Sequence, residues 1–141
     1  MIKTLNPSLT SIEKKYLVLS DFWCRMNNIR VKSVECIPLE DGSCDSKLID
    51  RCDLKNRIIY IKDYEESVMS MVNMIIKFIY HDLKIETTEN HFVSSGICAK
   101  NYIYDNETLG EIKEYKDFTV YEMEKIFDFL TWLKEKAVLQ P

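Results

Sequence analysis

The segment from residue 64 to residue 83 limits the possible folds of this chain more than any other segment. Its apolar residues recur at intervals of three and four, which places them on one face of a helix. Further apolar residues flank that face, so we expect other elements to cover this helix on more than one side. The face and its flanks consist of Val68, Met69, Met71, Val72, Met74, Ile75, Ile76, Phe78, Ile79 and Leu83.

Capping boxes mark the starts of two more helices. Thr10 with Glu13, and Thr119 with Glu122, each place a hydroxyl and a carboxylate three residues apart at the start of an apolar-periodic segment. We therefore predict a first helix at about residues 11–28 and a last helix that follows Thr119. The expected core face of the last helix is Met123, Ile126, Phe127, Leu130 and Ala137.

The stretch FVSSGICAK, residues 92–100, predicts a helix near residues 91–104 that lacks a strongly polar face. Such a helix is typical of the centre of a bundle. Gly96 favours this interpretation, because an interior glycine costs a helix about 1 kcal/mol relative to alanine and usually marks the close approach of a neighbour. We interpret Cys98 as a buried thiol that behaves as a small apolar side chain. The residues expected to pack at the centre are Phe92, Gly96, Ile97, Cys98 and Ala99.

Residues 47–62 fit two structures, and the choice between them decides the fold class. The run RIIYI is β-branched and fits a buried strand, whereas other apolar residues of the segment fall near one face of a helix. We favour the helix, which gives an all-α fold. The alternative is an α+β fold with a small sheet from residues 30–38 and 56–62.

The length of 141 residues fits one domain. We expect residues 1–9 to form a flexible arm and residues 10–141 a single helical domain. The net charge of −4, with acids and bases interspersed, gives no basic stripe for phosphates, so we predict neither nucleic acid nor membrane as a partner. Five cysteines without a CxxC pair, and no signal-peptide pattern, predict reduced thiols and a cytoplasmic location.

The sharpest catalytic candidate is HDLKIETTENH, which contains both histidines of the chain. His81 and His91 have the spacing of the outer pair in the zinc-protease pattern HExxHxxGxxH, but Ile85 occupies the middle ligand position and Asp82 replaces the glutamate. We therefore interpret the two histidines as solvated residues near helix ends. The three glycines form no phosphate-binding loop. The sequence predicts no catalytic residue, no metal ligand and no cofactor, and hence a protein that is not an enzyme.

Three stretches together resemble one known family. FVSSGICAK (residues 92–100), DFWCRMNNI (residues 21–29) and FDFLTWLKEK (residues 127–136) are similar to the central, first and closing helices of the poxvirus Bcl-2-like immunomodulators. The resemblance implies a compact bundle of about seven helices around a central helix near residues 91–104. It also implies a non-enzymatic viral protein without a cofactor, which acts in the host cytosol.

The resemblance implies that the protein acts by binding a partner and not by catalysis. The protein would bind a host signalling adaptor or kinase and thereby inhibit innate immune signalling, through NF-κB or interferon-regulatory activation. Some members of the family pair through their first and sixth helices, so the resemblance implies that Leu17 and Phe22 lie in a partner or homodimer interface. Trp132, which lies opposite the core face of the last helix, is a further interface candidate from the helical wheel alone.

Three other functions fit the same sequence. The first is an apoptosis inhibitor of the same fold, which holds pro-death helices in an apolar groove. The second is a degenerate, inactive metallopeptidase-like domain, in which residues 31–37 and 57–61 are paired strands. The third is a small inhibitor or immunity protein of unrelated fold. Strand content separates the second function from the first.

Overall fold

The computed structural model describes residues 9–62, 67–105 and 120–139. These ranges contain four helices and five strands, in the order α1 (Ser11–Met26), β1 (Arg30–Ser33), β2 (Ile37–Pro38), β3 (Cys44–Asp45), β4 (Asp50–Asp53), β5 (Ile58–Ile61), α2 (Ser67–Asp82), α3 (Glu89–Tyr104) and α4 (Val120–Leu139). The fold is therefore α+β. The prediction of an all-α, Bcl-2-like bundle of about seven helices is wrong, and the alternative with a small sheet is confirmed.

The central strand of the main sheet is β5, in the order β1-β5-β4. It runs parallel to β1, with Ile58 opposite Arg30, and antiparallel to β4, with Ile61 opposite Asp50. A separate antiparallel pair is formed by β2 and β3. The helix that we favoured for residues 47–62 is therefore replaced by β4 and β5.

The burial of β5 explains why its sequence fits a helix as well as a strand. Ile58, Ile59 and Ile61 are buried and Tyr60 is partly buried, so both faces of the strand are covered. A strand covered on both faces has a continuous apolar run, which periodicity alone does not distinguish from a buried helix. The β-branched isoleucines were the better indicator of a strand.

The first helix, α1, begins where its capping box predicts. Thr10 Oγ1 accepts a hydrogen bond of 3.2 Å from the Glu13 amide, and Glu13 Oε1 accepts one of 3.1 Å from the Thr10 amide. The helix ends at Met26, and Asn28 follows with a φ of 58°. A residue in the left-handed region stops a helix and redirects the chain, here into β1.

The central helix of the fold is α2. Met71, Val72, Ile75 and Phe78 are completely buried, and α2 contacts the other three helices as well as β4 and β5. This confirms the prediction that other elements cover it on more than one side. The predicted start at residue 64 lies outside the described residues.

The position of α3 differs from the prediction of a central helix. Ser95, Cys98 and Ala99 are buried, but Val93 and Ile97 are exposed on its other side. The helical wheel did not show this, because apolar residues that line a surface groove give the same pattern as apolar residues in a core. The prediction of a central helix near residues 91–104 is wrong, and α2 takes that place.

The predictions for the chain ends have mixed outcomes. Leu9, the last residue of the predicted arm, is buried against the core, while residues 1–8 lie outside the described residues. Thr119 and the side chain of Met123 also lie outside them. The other predicted core residues of α4 are buried, which confirms that face: Ile126, Phe127, Leu130 and Ala137.

Gly96 has one close neighbour, and that neighbour is flexible. A β-carbon at position 96 would lie 3.1 Å from Asn73 Oδ1, and the next two nearest atoms of other parts of the chain also belong to the Asn73 side chain, at 3.6 Å. Asn73 is exposed on α2. The close neighbour expected at Gly96 is therefore the polar side chain of Asn73, which can move towards solvent.

Gly96→Ala is accordingly expected to raise the free energy of unfolding by about 0.5–1 kcal/mol, since alanine favours a helix over glycine and the Asn73 amide can turn aside. Urea unfolding followed by circular dichroism measures the change. The double variant Asn73→Ala/Gly96→Ala is the control, because it removes the close contact. If Gly96→Ala lost stability and the double variant regained it, Asn73 would be held in place and the prediction would be wrong.

The side chain of Arg57 joins the ends of α1 and α2. Its Nη2 donates to the Asn27 carbonyl (2.8 Å) and its Nε donates to the Asn28 carbonyl (3.2 Å). Nη1 lies 2.7 Å from Asp82 Oδ1, and Nη2 lies 3.1 Å from Oδ2 of the same carboxylate. The guanidinium also covers the ring of Phe78, at 5.3 Å from its centroid. Arg57 holds this position with a left-handed φ of 56°.

Candidate functional site

The solvent-facing side of α1 carries a row of large apolar residues. Val18, Phe22 and Met26 are spaced by four and therefore lie above one another on one side of the helix. They are exposed by 56%, 47% and 52%. Single exposed apolar residues are normal on a protein surface, but a row of three on one helix face is the pattern of a binding surface.

Next to this row lies Trp132 of α4, which is partly buried and packs against the core. Trp132 and Phe22 line the same depression, of about 740 Å³, whose other apolar lining residues are Val18, Leu19 and Met26. We name this depression the α1/α4 groove. The contact of Trp23 with Phe129, at 4.9 Å between ring centroids, holds α1 against α4 beside it.

All ionisable side chains among the described residues that line the α1/α4 groove are cationic. They are Lys14, Lys15, Arg25 and Lys136. Arg25 pairs with the buried Asp21 one turn away, since its Nη2 lies 3.8 Å from Asp21 Oδ2. A concentration of positive charge on a protein of net charge −4 creates a local field that attracts anionic groups. The net charge, from which the absence of a basic stripe was predicted, does not describe this local arrangement.

The structure brings together two of the three predicted interface residues. Phe22 and Trp132, which are 110 residues apart in the sequence, line one groove. Leu17 does not lie there, because it is 1% exposed and belongs to the hydrophobic core. The prediction that Leu17 lies in an interface is wrong, since α1 packs against β1, α2 and α4 and so buries more than one face.

A second groove lies between α2 and α3 and has a volume of about 760 Å³. Three of the predicted central-helix residues, Phe92, Gly96 and Ile97, line it, whereas Cys98 and Ala99 are buried. Its charges are mixed: Glu13, Asp50, Lys77, Glu89 and Lys100. Mixed charges favour no particular sign of ligand, so this α2/α3 groove is the weaker candidate.

The two histidines lie in different surroundings. His81 is exposed at the end of α2, and the neighbouring Asp82 pairs with Arg57. His91 Nε2 instead lies 3.0 Å from Glu122 Oε2, with side chains only 12% and 14% exposed. The interpretation of His91 as a solvated residue is wrong. Among residues 9–62, 67–105 and 120–139, no cluster of three or more His, Cys, Asp or Glu side chains could hold a metal.

No local sequence signal predicts the pairing of His91 with Glu122. It joins the first turns of α3 and α4, and no local spacing connects residues that are 31 positions apart. The ring of His91 also lies 5.3 Å from that of Tyr80. The Tyr80 hydroxyl in turn lies 2.7 Å from Ser95 Oγ, which donates to the His91 carbonyl at 2.9 Å. These polar groups tie α2, α3 and α4 together inside the protein.

The cysteines differ from the prediction of five reduced thiols. Cys36 and Cys44 form a disulfide that closes the β2-β3 pair, so that prediction is wrong for these two residues. Cys24, Cys52 and Cys98 take no part in a disulfide among the described residues. Burial raises the pKa of Cys24 to about 12 and that of Cys52 to about 12, which keeps both thiols protonated near neutral pH.

The described helices are all too short or too polar to cross a membrane. Comparisons of the chain with protein-family models, with curated proteins and with solved structures found no match.

Proposed function

We propose that this protein is a non-enzymatic binding protein, which holds a partner protein in the α1/α4 groove. The observation that carries the proposal is the exposed row of Val18, Phe22 and Met26 beside Trp132, within a cationic rim. Covering the exposed halves of three such side chains would stabilise a complex by roughly 3 kcal/mol before the costs of association. Trp132 adds the kind of partly buried aromatic anchor that dominates many interfaces.

The polar groups elsewhere support binding rather than catalysis. Ser95 is completely buried, and its hydroxyl bonds to Tyr80 and to the His91 carbonyl. Asp82 is occupied by Arg57. Hydroxyl and carboxylate groups that are committed in this way stabilise the fold and are not placed to attack a substrate.

The identity of the partner remains a prediction of the sequence resemblance. A host signalling adaptor or kinase, with inhibition of NF-κB or interferon-regulatory activation as the result, is compatible with a binding protein. The Bcl-2-like fold that the resemblance implied is wrong, so our proposal rests on the α1/α4 groove and not on the resemblance.

Site-specific crosslinking tests the proposal. We would replace Phe22 with the photoreactive residue benzoylphenylalanine in the full chain, irradiate it in vertebrate cell extract, and identify the adducts by mass spectrometry. Val93 is the matched control position, because it is exposed by 54% but lines the α2/α3 groove. We expect one dominant protein adduct from position 22 that position 93 does not give. The same adducts from both positions, adducts from position 93 alone, or no adduct would refute the proposal.

A further inference from the structure

We infer that the α1/α4 groove binds an acidic amphipathic helix of about four turns, supplied by a different protein. This inference rests on the proposed function and specifies the chemistry of the partner. It follows from the length of the groove, from the sign and position of its charges, and from its concave shape.

The length of the groove matches a helix of moderate size. The residues of α1 that line it extend from Ser11 to Met26, a distance of about 22 Å at 1.5 Å per residue. One turn of α4, marked by Trp132 and Lys136, forms the opposite wall. A furrow between two helices accepts the ridge of side chains on a third helix. About 15 helical residues would fill this length.

The charges of the groove predict the charge pattern of the partner. Lys14 lies near the start of α1 and Arg25 lies near its end, with the apolar Val18 and Phe22 between them. The two cationic positions are about 16 Å apart. The bound helix should therefore carry acidic residues near both ends, about 11 positions apart, and apolar residues facing Val18 and Phe22.

Two other occupants fit the groove less well. In a symmetric dimer, each surface patch meets its own copy or lies beside it, so Lys14 and Lys136 of one protomer would lie near the cations of the other. Such like charges oppose association. A membrane surface offers anionic headgroups, but it is broad and cannot enter a furrow between helices. A helix with acidic residues near both ends fits the shape of the furrow and the positive charge of its rim.

Designed peptides test this inference on the full-length protein. The probe is a helical peptide of about 16 residues with apolar residues at spacings of three and four and glutamates near both ends. Its twin carries lysine in place of every glutamate. We expect fluorescence anisotropy to show about tenfold tighter binding of the acidic peptide at low salt, and a smaller difference between the peptides as salt screens the charges.

Charge reversal at the rim tests whether the preference for the acidic peptide arises at the α1/α4 groove. Lys14→Glu/Lys136→Glu is expected to abolish or invert the preference for the acidic peptide. The matched control is Lys32→Glu/Lys55→Glu, which changes the net charge equally at exposed positions on β1 and on the β4-β5 turn. This control should keep the preference. Equal loss in both double variants would show a response to overall charge, and would overturn the inference.

The remaining outcomes are also decisive. Equal binding of the two peptides, or binding of neither, refutes an acidic helix as the ligand. Vesicles with anionic lipid that bind wild type but not Lys14→Glu/Lys136→Glu would assign the groove to a membrane. A wild-type dimer that Phe22→Ser dissociates would assign it to a second copy. A crosslinked partner at position 22 that has no acidic helix would refute this inference and leave the proposed function intact.

Discussion

Leu17→Ala is expected to lower the free energy of unfolding by about 3 kcal/mol, within the range of about 2–5 kcal/mol found for buried leucines. Leu17 is 1% exposed and lies in the main hydrophobic cluster. Its truncation removes apolar contacts and leaves a cavity, because α1 is held by β1, α2 and α4 and cannot collapse freely. Urea unfolding followed by far-UV circular dichroism measures the loss.

The matched control for this variant is Phe22→Ala on the same helix. Phe22 is 47% exposed, so its truncation should cost less than about 1 kcal/mol of stability. It should nevertheless weaken binding at the α1/α4 groove. If the two variants lost equal stability, the assignment of Leu17 to the core and of Phe22 to the binding surface would be wrong.

Arg57→Ala is expected to lower the free energy of unfolding by about 2–3 kcal/mol, because hydrogen bonds of charged groups contribute more than neutral ones. The substitution removes the bidentate contact with Asp82 and two bonds to carbonyls at the end of α1. It also uncovers the ring of Phe78. Thermal or urea unfolding measures the loss.

Backbone geometry provides a control for Arg57. Its φ of 56° favours glycine over any residue with a β-carbon. Arg57→Gly should therefore be more stable than Arg57→Ala by up to about 1 kcal/mol, although both lack the side-chain bonds. Asp82→Asn keeps the shape of the side chain that pairs with Arg57 but removes its charge. This variant should show part of the loss in the free energy of unfolding that Arg57→Ala shows. A fully stable Arg57→Ala would show that these contacts contribute little.

Local signals predicted the four described helices, but they also favoured a helix at residues 47–62, where the structure has β4 and β5. The capping box of Thr10 and Glu13 correctly placed the start of α1. Apolar periodicity found α2, α3 and α4. These signals work because caps and periodicity depend on residues within one or two turns. They did not predict which helix lies at the centre, because that depends on what packs against each face.

The rest of the fold and the site depends on contacts between distant residues. β5 becomes the central strand because β1 and β4 pair with it, and the predicted alternative sheet of residues 30–38 and 56–62 did not include β4. The cationic rim likewise joins Lys14 to Lys136. The net charge of −4 for the whole chain gives no indication of these cations on one surface. Of the three residues predicted for an interface, Phe22 and Trp132 line the α1/α4 groove, whereas Leu17 is buried.

The junction of α1 and α4 also allows binding to be followed by intrinsic tryptophan fluorescence. The chain has two tryptophans, and both Trp23 and Trp132 lie at this junction. All of the intrinsic tryptophan emission therefore originates from one face, while the sheet and α3 contribute none. Occupation of the α1/α4 groove should change the emission of Trp132 without any added label, and a Trp132→Phe variant leaves Trp23 as the reference signal.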